Sequence, residues 1–146
     1  MRLTREADYA VRVVVDLAGR PRGEVVRTGD LTATTGVPRA YLAKIVQALA
    51  RAGLVVTRQG PGGGVALPQD PASVTLRQMV EAVEGPVRLN RCLGRPGACP
   101  RDRFCAAHPV WARIQAVLVR ELEAVTARDL AEATAAMRQG EGGDRC

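Results

Sequence analysis

Residues 27–68 read RTGDLTATTGVPRAYLAKIVQALARAGLVVTRQGPGGGVALP, and this stretch decides the fold. A short helix is expected over 29–35, ending at Gly36. Pro38 then starts a second helix, where its missing N–H costs nothing. Inside that helix Leu42, Ile45, Val46 and Leu49 recur at helical spacing and form an inward stripe. Arg39, Ala40, Ala43, Lys44, Gln47 and Arg51 take the opposite face, and Gly53 closes the helix near residue 52. Two short helices joined by a glycine-containing turn predict a helix-turn-helix. Two β-rich segments then flank Gly60-Pro61-Gly62-Gly63-Gly64, which predicts a hairpin with a flexible tip and Arg58 at its base. A hairpin directly after a helix-turn-helix is a wing. The glycine run is not a nucleotide loop, because a P-loop needs Lys-Ser/Thr after its glycines and Val65-Ala66-Leu67-Pro68 supplies neither.

Outward from this core the pattern stays helical. Residues 4–19 predict a helix capped by Thr4, with Ala7, Val11, Val14 and Ala18 on one face and Gly19 and Pro21 as its stop. Residues 21–27 link it onward and contain a possible short strand, EVVR. Thr75 to Val83 predicts another helix, with Leu76, Met79, Val80 and Val83 on one side. Residues 85–108 are punctuated by glycine and proline, so no regular element is expected and something else must order them. A long helix is expected from Pro109 to about Thr126. Its Trp111, Ile114, Leu118, Leu122 and Val125 make a narrow apolar seam suited to a second copy. A last helix over 127–138 precedes a tail, 139–146, expected to be flexible. The fold class is mainly α with a small β-hairpin. The expected units are a winged helix-turn-helix domain at 1–84, a ligand loop at 85–108, and a dimerisation helix with a C-terminal helix at 109–138.

The chain has 146 residues, of which 47% are hydrophobic and only 3% aromatic, so the core is built of Val, Leu, Ala and Ile. The formal net charge of +6 points to an anionic partner. With the helix-turn-helix, that partner is double-stranded DNA. Small residues on the outer face of helix 38–52 let it approach the major groove, and its cations and Gln47 reach phosphates and base edges. The candidate contacts are Arg39, Ala40, Tyr41, Lys44 and Gln47 on the helix, and Arg58, Gln59, Gly60, Gly62 and Gly63 on the wing. The opening MRLTREADYA carries charges where a signal peptide needs an apolar core, and no apolar run is long enough to span a membrane. A cytoplasmic protein is expected, whose thiols stay reduced.

Three of four cysteines and the only histidine fall in one stretch, NRCLGRPGACPRDRFCAAHPVW, Asn90 to Trp111. The spacing Cys92-x6-Cys99-x5-Cys105-x2-His108 is wider than zinc fingers favour. Iron–sulfur clusters accept thiolates from open loops, and the interleaved Arg91, Arg95, Arg101 and Arg103 favour thiolate. A zinc-stabilised winged-helix protein without sensing is the alternative. Cys105 and His108 could also be a nucleophile and base, but no orienting third group or oxyanion site accompanies them, so no enzyme is expected. Cys146, on the tail, reads as a bystander thiol. Asp8 reads from spacing as a surface acid in a first turn.

Taken in order, MRLTREADYAVRVVVDLA, VPRAYLAKIVQALARAGLV, GPGGG, the cysteine trio and CAAHPVW resemble the Rrf-type transcription regulators, the family of IscR and NsrR. The resemblance runs to about residue 130. It implies a homodimeric winged-helix repressor or activator with one iron–sulfur cluster per subunit on Cys92, Cys99 and Cys105, responsive to nitric oxide, redox state or iron–sulfur status. IscR-like members have a histidine where His108 stands and hold a [2Fe–2S] centre. NsrR-like members have an aspartate where Asp8 stands, given by the other subunit, and hold a [4Fe–4S] centre. This chain has both residues, so the resemblance leaves the fourth ligand and the cluster type open. It departs from the pattern in a first cysteine interval one residue longer, and in Gln59 where members often place Arg before Gly-Pro-Gly-Gly.

Overall fold

The computed structural model describes residues 2–141. Helix α1 spans Arg5–Ala18. Thr4 Oγ1 accepts from the Ala7 N–H at 3.2 Å, and Glu6 and Asp8 sit at the positive end of the helix dipole. Helices α2 (Thr28–Thr35) and α3 (Arg39–Arg51) are joined through Gly36, whose φ of 71° lies in the left-handed region open to glycine. Val37, fully buried, anchors the turn that follows. Strands β1 (Val56–Arg58) and β2 (Gly64–Ala66) pair antiparallel, with Val56 opposite Ala66 and Arg58 opposite Gly64. Helix α4 spans Leu76–Glu84 and opens on a capping box: Thr75 Oγ1 accepts from the Gln78 N–H while Gln78 Oε1 accepts from the Thr75 N–H. Helices α5 (Ala107–Ala124) and α6 (Ala127–Glu141) complete the chain.

The core is the meeting of α1, α2, α3, α4 and the wing. Leu31, Leu42, Ile45, Leu49, Val55, Val65 and Met79 are each at most 2% exposed. Each such side chain contributes roughly 2 kcal/mol of burial, and aromatics add little because there are so few. Val26, in the EVVR segment, exchanges two 2.8 Å backbone hydrogen bonds with Val65, so a third stretch of chain edges the wing. Helix α6 turns back on α1, with Ala127 fully buried and Arg128 paired to Asp70 at 2.7 Å.

Several bounds differ from the sequence reading. The buried face of α1 is Ala7, Ala10, Val13, Val14 and Leu17, while Val11 and Ala18 lie at its half-buried edge. The helix is covered by neighbours on two sides, so its apolar face is wider than one stripe. Helix α5 starts at Ala107, placing His108 inside it and Pro109 in its first turn, where a missing N–H has no intrahelical partner to lose. The loop 85–108 holds two single turns of 3-10 helix, Arg91–Leu93 and Asp102–Phe104. Helix α6 continues to Glu141, past the end expected at 138; Cys146 lies outside the described residues.

Candidate functional site

The outward face of α3 is open. Arg39, Ala40, Ala43, Lys44, Gln47 and Arg51 are exposed while Leu42, Ile45, Val46 and Leu49 hold the helix from behind. Arg58, Gln59, Gly60 and Gly62 are exposed on the wing, and Gly63 is half-buried. The wing tip needs its glycines: a Cβ on Gly63 would run into the Arg58 carbonyl oxygen, and one on Gly64 into that of Val26. Tyr41 is only half-exposed. Its ring meets Tyr9 edge-on at 5.6 Å between centroids, and Arg12 stacks 5.5 Å over Tyr9. Arg12 also pairs with Asp8 at 2.8 Å and reaches the Thr35 carbonyl at 3.5 Å. Tyr9 and Arg12 thus brace the α2–α3 turn from α1. Sequence reading passed over them, although their three-residue spacing on a helix was the available signal.

The second feature is the loop before α5. Cys92, Cys99 and Cys105 are free, the first two half-buried and the third exposed. An open cavity of about 630 Å³ is lined by Cys92, Asp102, Arg103 and His108 among others. Cys99 and Cys105 do not line it. They join the same turn of chain through their carbonyls, which accept from the Asp102 and His108 N–H groups at 3.2 and 3.1 Å. His108 Nδ1 is buried with no hydrogen-bond partner. Buried polar atoms are nearly always paired, so a lone imidazole nitrogen is open to a hydrogen-bond partner or, unprotonated, to a metal. Asp8 is elsewhere in the chain, exposed and held by Arg12.

By donor type this set fits an iron centre: three free thiols and one unpartnered imidazole nitrogen. By position it is unfinished. Among the described residues, no group of three or more His, Cys, Asp or Glu is placed to hold a metal ion. Thiolate sites are commonly organised by the metal they bind, because sulfurs brought together without one repel.

Two side chains outside the cysteine motif hold the beginning of the loop. Glu81 Oε1 accepts from the Val87 N–H at 3.0 Å, and Gln115 Oε1 accepts from the Leu89 N–H at 2.8 Å. Arg77 joins Glu81 and Glu123, and the hydrogen bonds it donates, to Glu123 first and Glu81 second, push its guanidinium further up from its ordinary value. Nothing in the residue pattern marked these anchors.

The family model described as Rrf2, iron-dependent transcriptional regulator, matches residues 3–133. The chain belongs to the Rrf2 family. This Rrf2 regulator is 32% identical over 130 residues to the HTH-type transcriptional regulator IscR of Escherichia coli O1:K1, across 89% of its own length and 80% of the relative's. Solved structures of the same fold include CymR, the global cysteine regulator of B. subtilis, at a TM-score of 0.72 and 24% identity over 91% of this chain and 98% of that one. Another is the T. potens IscR, at 0.69 and 20% over 92% and 88%. Membership makes the chain a DNA-binding transcriptional regulator with a winged helix-turn-helix, and not an enzyme. Among the described residues no helix is long and apolar enough to cross a membrane.

Proposed function

We propose that this Rrf2 regulator is a cytoplasmic homodimer whose affinity for operator DNA is set by an iron–sulfur cluster on Cys92, Cys99 and Cys105. His108 of the same chain is the fourth ligand. The observation that carries this reading is the buried, unpartnered Nδ1 of His108, a residue that lines one open cavity with Cys92. Asp8 is the weaker candidate, since its carboxylate is already engaged by Arg12. When bound, such a cluster supplies a centre reactive toward oxygen and nitric oxide and a bond network among the sulfurs.

The chain's own residues do the rest. Arg91, Arg95, Arg101 and Arg103 interleave with the thiols in the chain and would partly offset the negative charge of a thiolate-bound cluster. Helix α5 presents Val110, Trp111, Ile114 and Val117 at 38% to 44% exposure, an apolar stripe fit for the same stripe of a second copy. Two paired copies set two α3 helices at the spacing of two half-sites, with Arg39, Lys44 and Gln47 toward the major groove and Arg58 and Gln59 toward the minor groove. Holding or releasing the loop changes that spacing. A full switch needs about a 10⁴-fold difference in affinity between the two states.

The test is anaerobic preparation with iron and sulfide, followed by absorption, native mass spectrometry and operator binding. The reading predicts a coloured dimer, loss of colour and of switching in Cys99→Ala, and a changed spectrum in His108→Ala but not in Asp8→Ala. A colourless protein with stoichiometric zinc selects the zinc-stabilised alternative. A metal-free protein that binds operator equally well with and without its cysteines overturns both.

A further inference from the structure

We propose that Glu81 and Gln115 are positioning residues that strap the start of the cysteine loop between α4 and α5, so that the state of the loop sets the angle of α5 against the winged body. This deepens the reading above and rests on it for what closes the loop.

Val87 and Leu89 lie just before Cys92 in an irregular segment. Backbone N–H groups in such a segment ordinarily go to water. Here both are half-buried and both are taken by side chains, Val87 by Glu81 on α4 at 3.0 Å and Leu89 by Gln115 on α5 at 2.8 Å. Glu81 is itself held by Arg77 Nε at 3.1 Å, and Arg77 reaches across to Glu123 on α5. The strap therefore ties one short stretch of backbone to both helices at once.

At the other end backbone hydrogen bonds join the two helices beside the Arg77–Glu123 pair. The Leu76 N–H donates to the Val125 carbonyl and the Ala127 N–H to the Val74 carbonyl, both at 2.8 Å, with Thr75 opposite Thr126. This pin has no side-chain rotamers to give way. Helix α5 thus meets the body at a stiff pin near its C-terminal end and at a softer strap one lever arm away. The arm from Gln115 to the pin is roughly 15 Å at the helical rise. A strap displacement of about 3 Å, one hydrogen-bond length, turns α5 by about 10°. The end beyond the strap carries Trp111 and Ile114 and has no fully buried residue, and α5 packs on the loop turn Arg91–Leu93, so resistance to that turn comes largely through the loop itself.

The experiment compares Gln115→Leu and Glu81→Leu, which remove the acceptors, with Gln115→Glu and Glu81→Gln, which keep an acceptor oxygen. Amide exchange is followed by NMR in the metal-free protein, and operator affinity is measured with and without the cluster. Each Leu variant is expected to lose protection at its own partner amide, to raise exchange across residues 110–116, and to shrink the loaded-to-unloaded affinity ratio about tenfold while the visible spectrum stays. The conservative variants restore all three. Unprotected Val87 and Leu89 amides in the wild type overturn the proposal. So does an unchanged affinity ratio after protection is lost. A wild type that takes up no metal sinks the cluster reading instead; the strap is then judged by exchange across residues 110–116, and no rise in the Leu variants overturns it.

Discussion

Among the described residues, every buried apolar side chain lies between Ala7 and Val80, Ala127 excepted; from Glu81 to Thr126 none is buried. The two regions have similar means available. Helix α3 has thirteen residues and α5 eighteen, and both carry apolar residues at helical spacing. The first stripe meets α1, α4 and the wing. The second meets solvent along Trp111 and Ile114 and becomes half-buried only from Leu118 toward Leu122 and Val125, where α4 lies alongside. This open stripe is the surface that the proposed second copy would cover. The body is complete as one chain. In the function proposed above, the arm is completed by things outside it: a second copy for α5, and a ligand for the loop that precedes it.

The contrast is broken or sharpened by substitution. Leu49→Ala, at a site with no exposure, is expected to cost about 2–5 kcal/mol in urea denaturation. Ile114→Ala in dilute protein removes a similar volume and is expected to cost well under that; equal costs would erase the distinction between the regions. Trp111→Ala is expected to weaken self-association by about 2 kcal/mol, near thirtyfold, read by sedimentation, with little change in the unfolding of the body. Thr75→Ala removes one half of the α4 capping box and is expected to cost about 1 kcal/mol in thermal or urea unfolding.

The smallest effect is at the start of α6. The Thr126 N–H donates to Asp129 Oδ2 at 2.9 Å, and the Asp129 N–H donates back to Thr126 Oγ1. The hydrogen bond from the Thr126 backbone, and then that from its side chain, hold the Asp129 carboxyl below the usual range. A depressed value in the folded state means that the contribution is complete above the ordinary carboxylate range and lost as pH falls through the folded value. Asp129→Asn is therefore expected to flatten the acid limb of the melting-temperature profile slightly and leave neutral pH almost unchanged. A steeper limb in the variant reverses that sign.

The helix-turn-helix and wing were legible because each rests on local rules. Gly36 turns the chain, Pro38 opens α3, and the Leu42–Leu49 stripe decides which face goes in. The charged outer face follows by exclusion. The breadth of α1's buried face was not legible, because it depends on α4 and α6 arriving from far along the chain to cover Ala10, Val13 and Leu17. In the loop, the cysteines announced themselves by type. Their supports did not: Glu81 and Gln115 are unremarkable helix residues until the fold brings Val87 and Leu89 under them.

The sequence by itself determined the elements, their order and the chemistry of the donors, since propensity, capping, periodicity and residue type act over a few neighbouring positions. Only the tertiary structure decided that His108 Nδ1 is left without a partner, that Tyr9 and Arg12 brace the reading head, and that α5 is pinned at one end and strapped at the other. Those are meetings of residues distant in the chain, and no local pattern encodes the distance at which two helices come to rest.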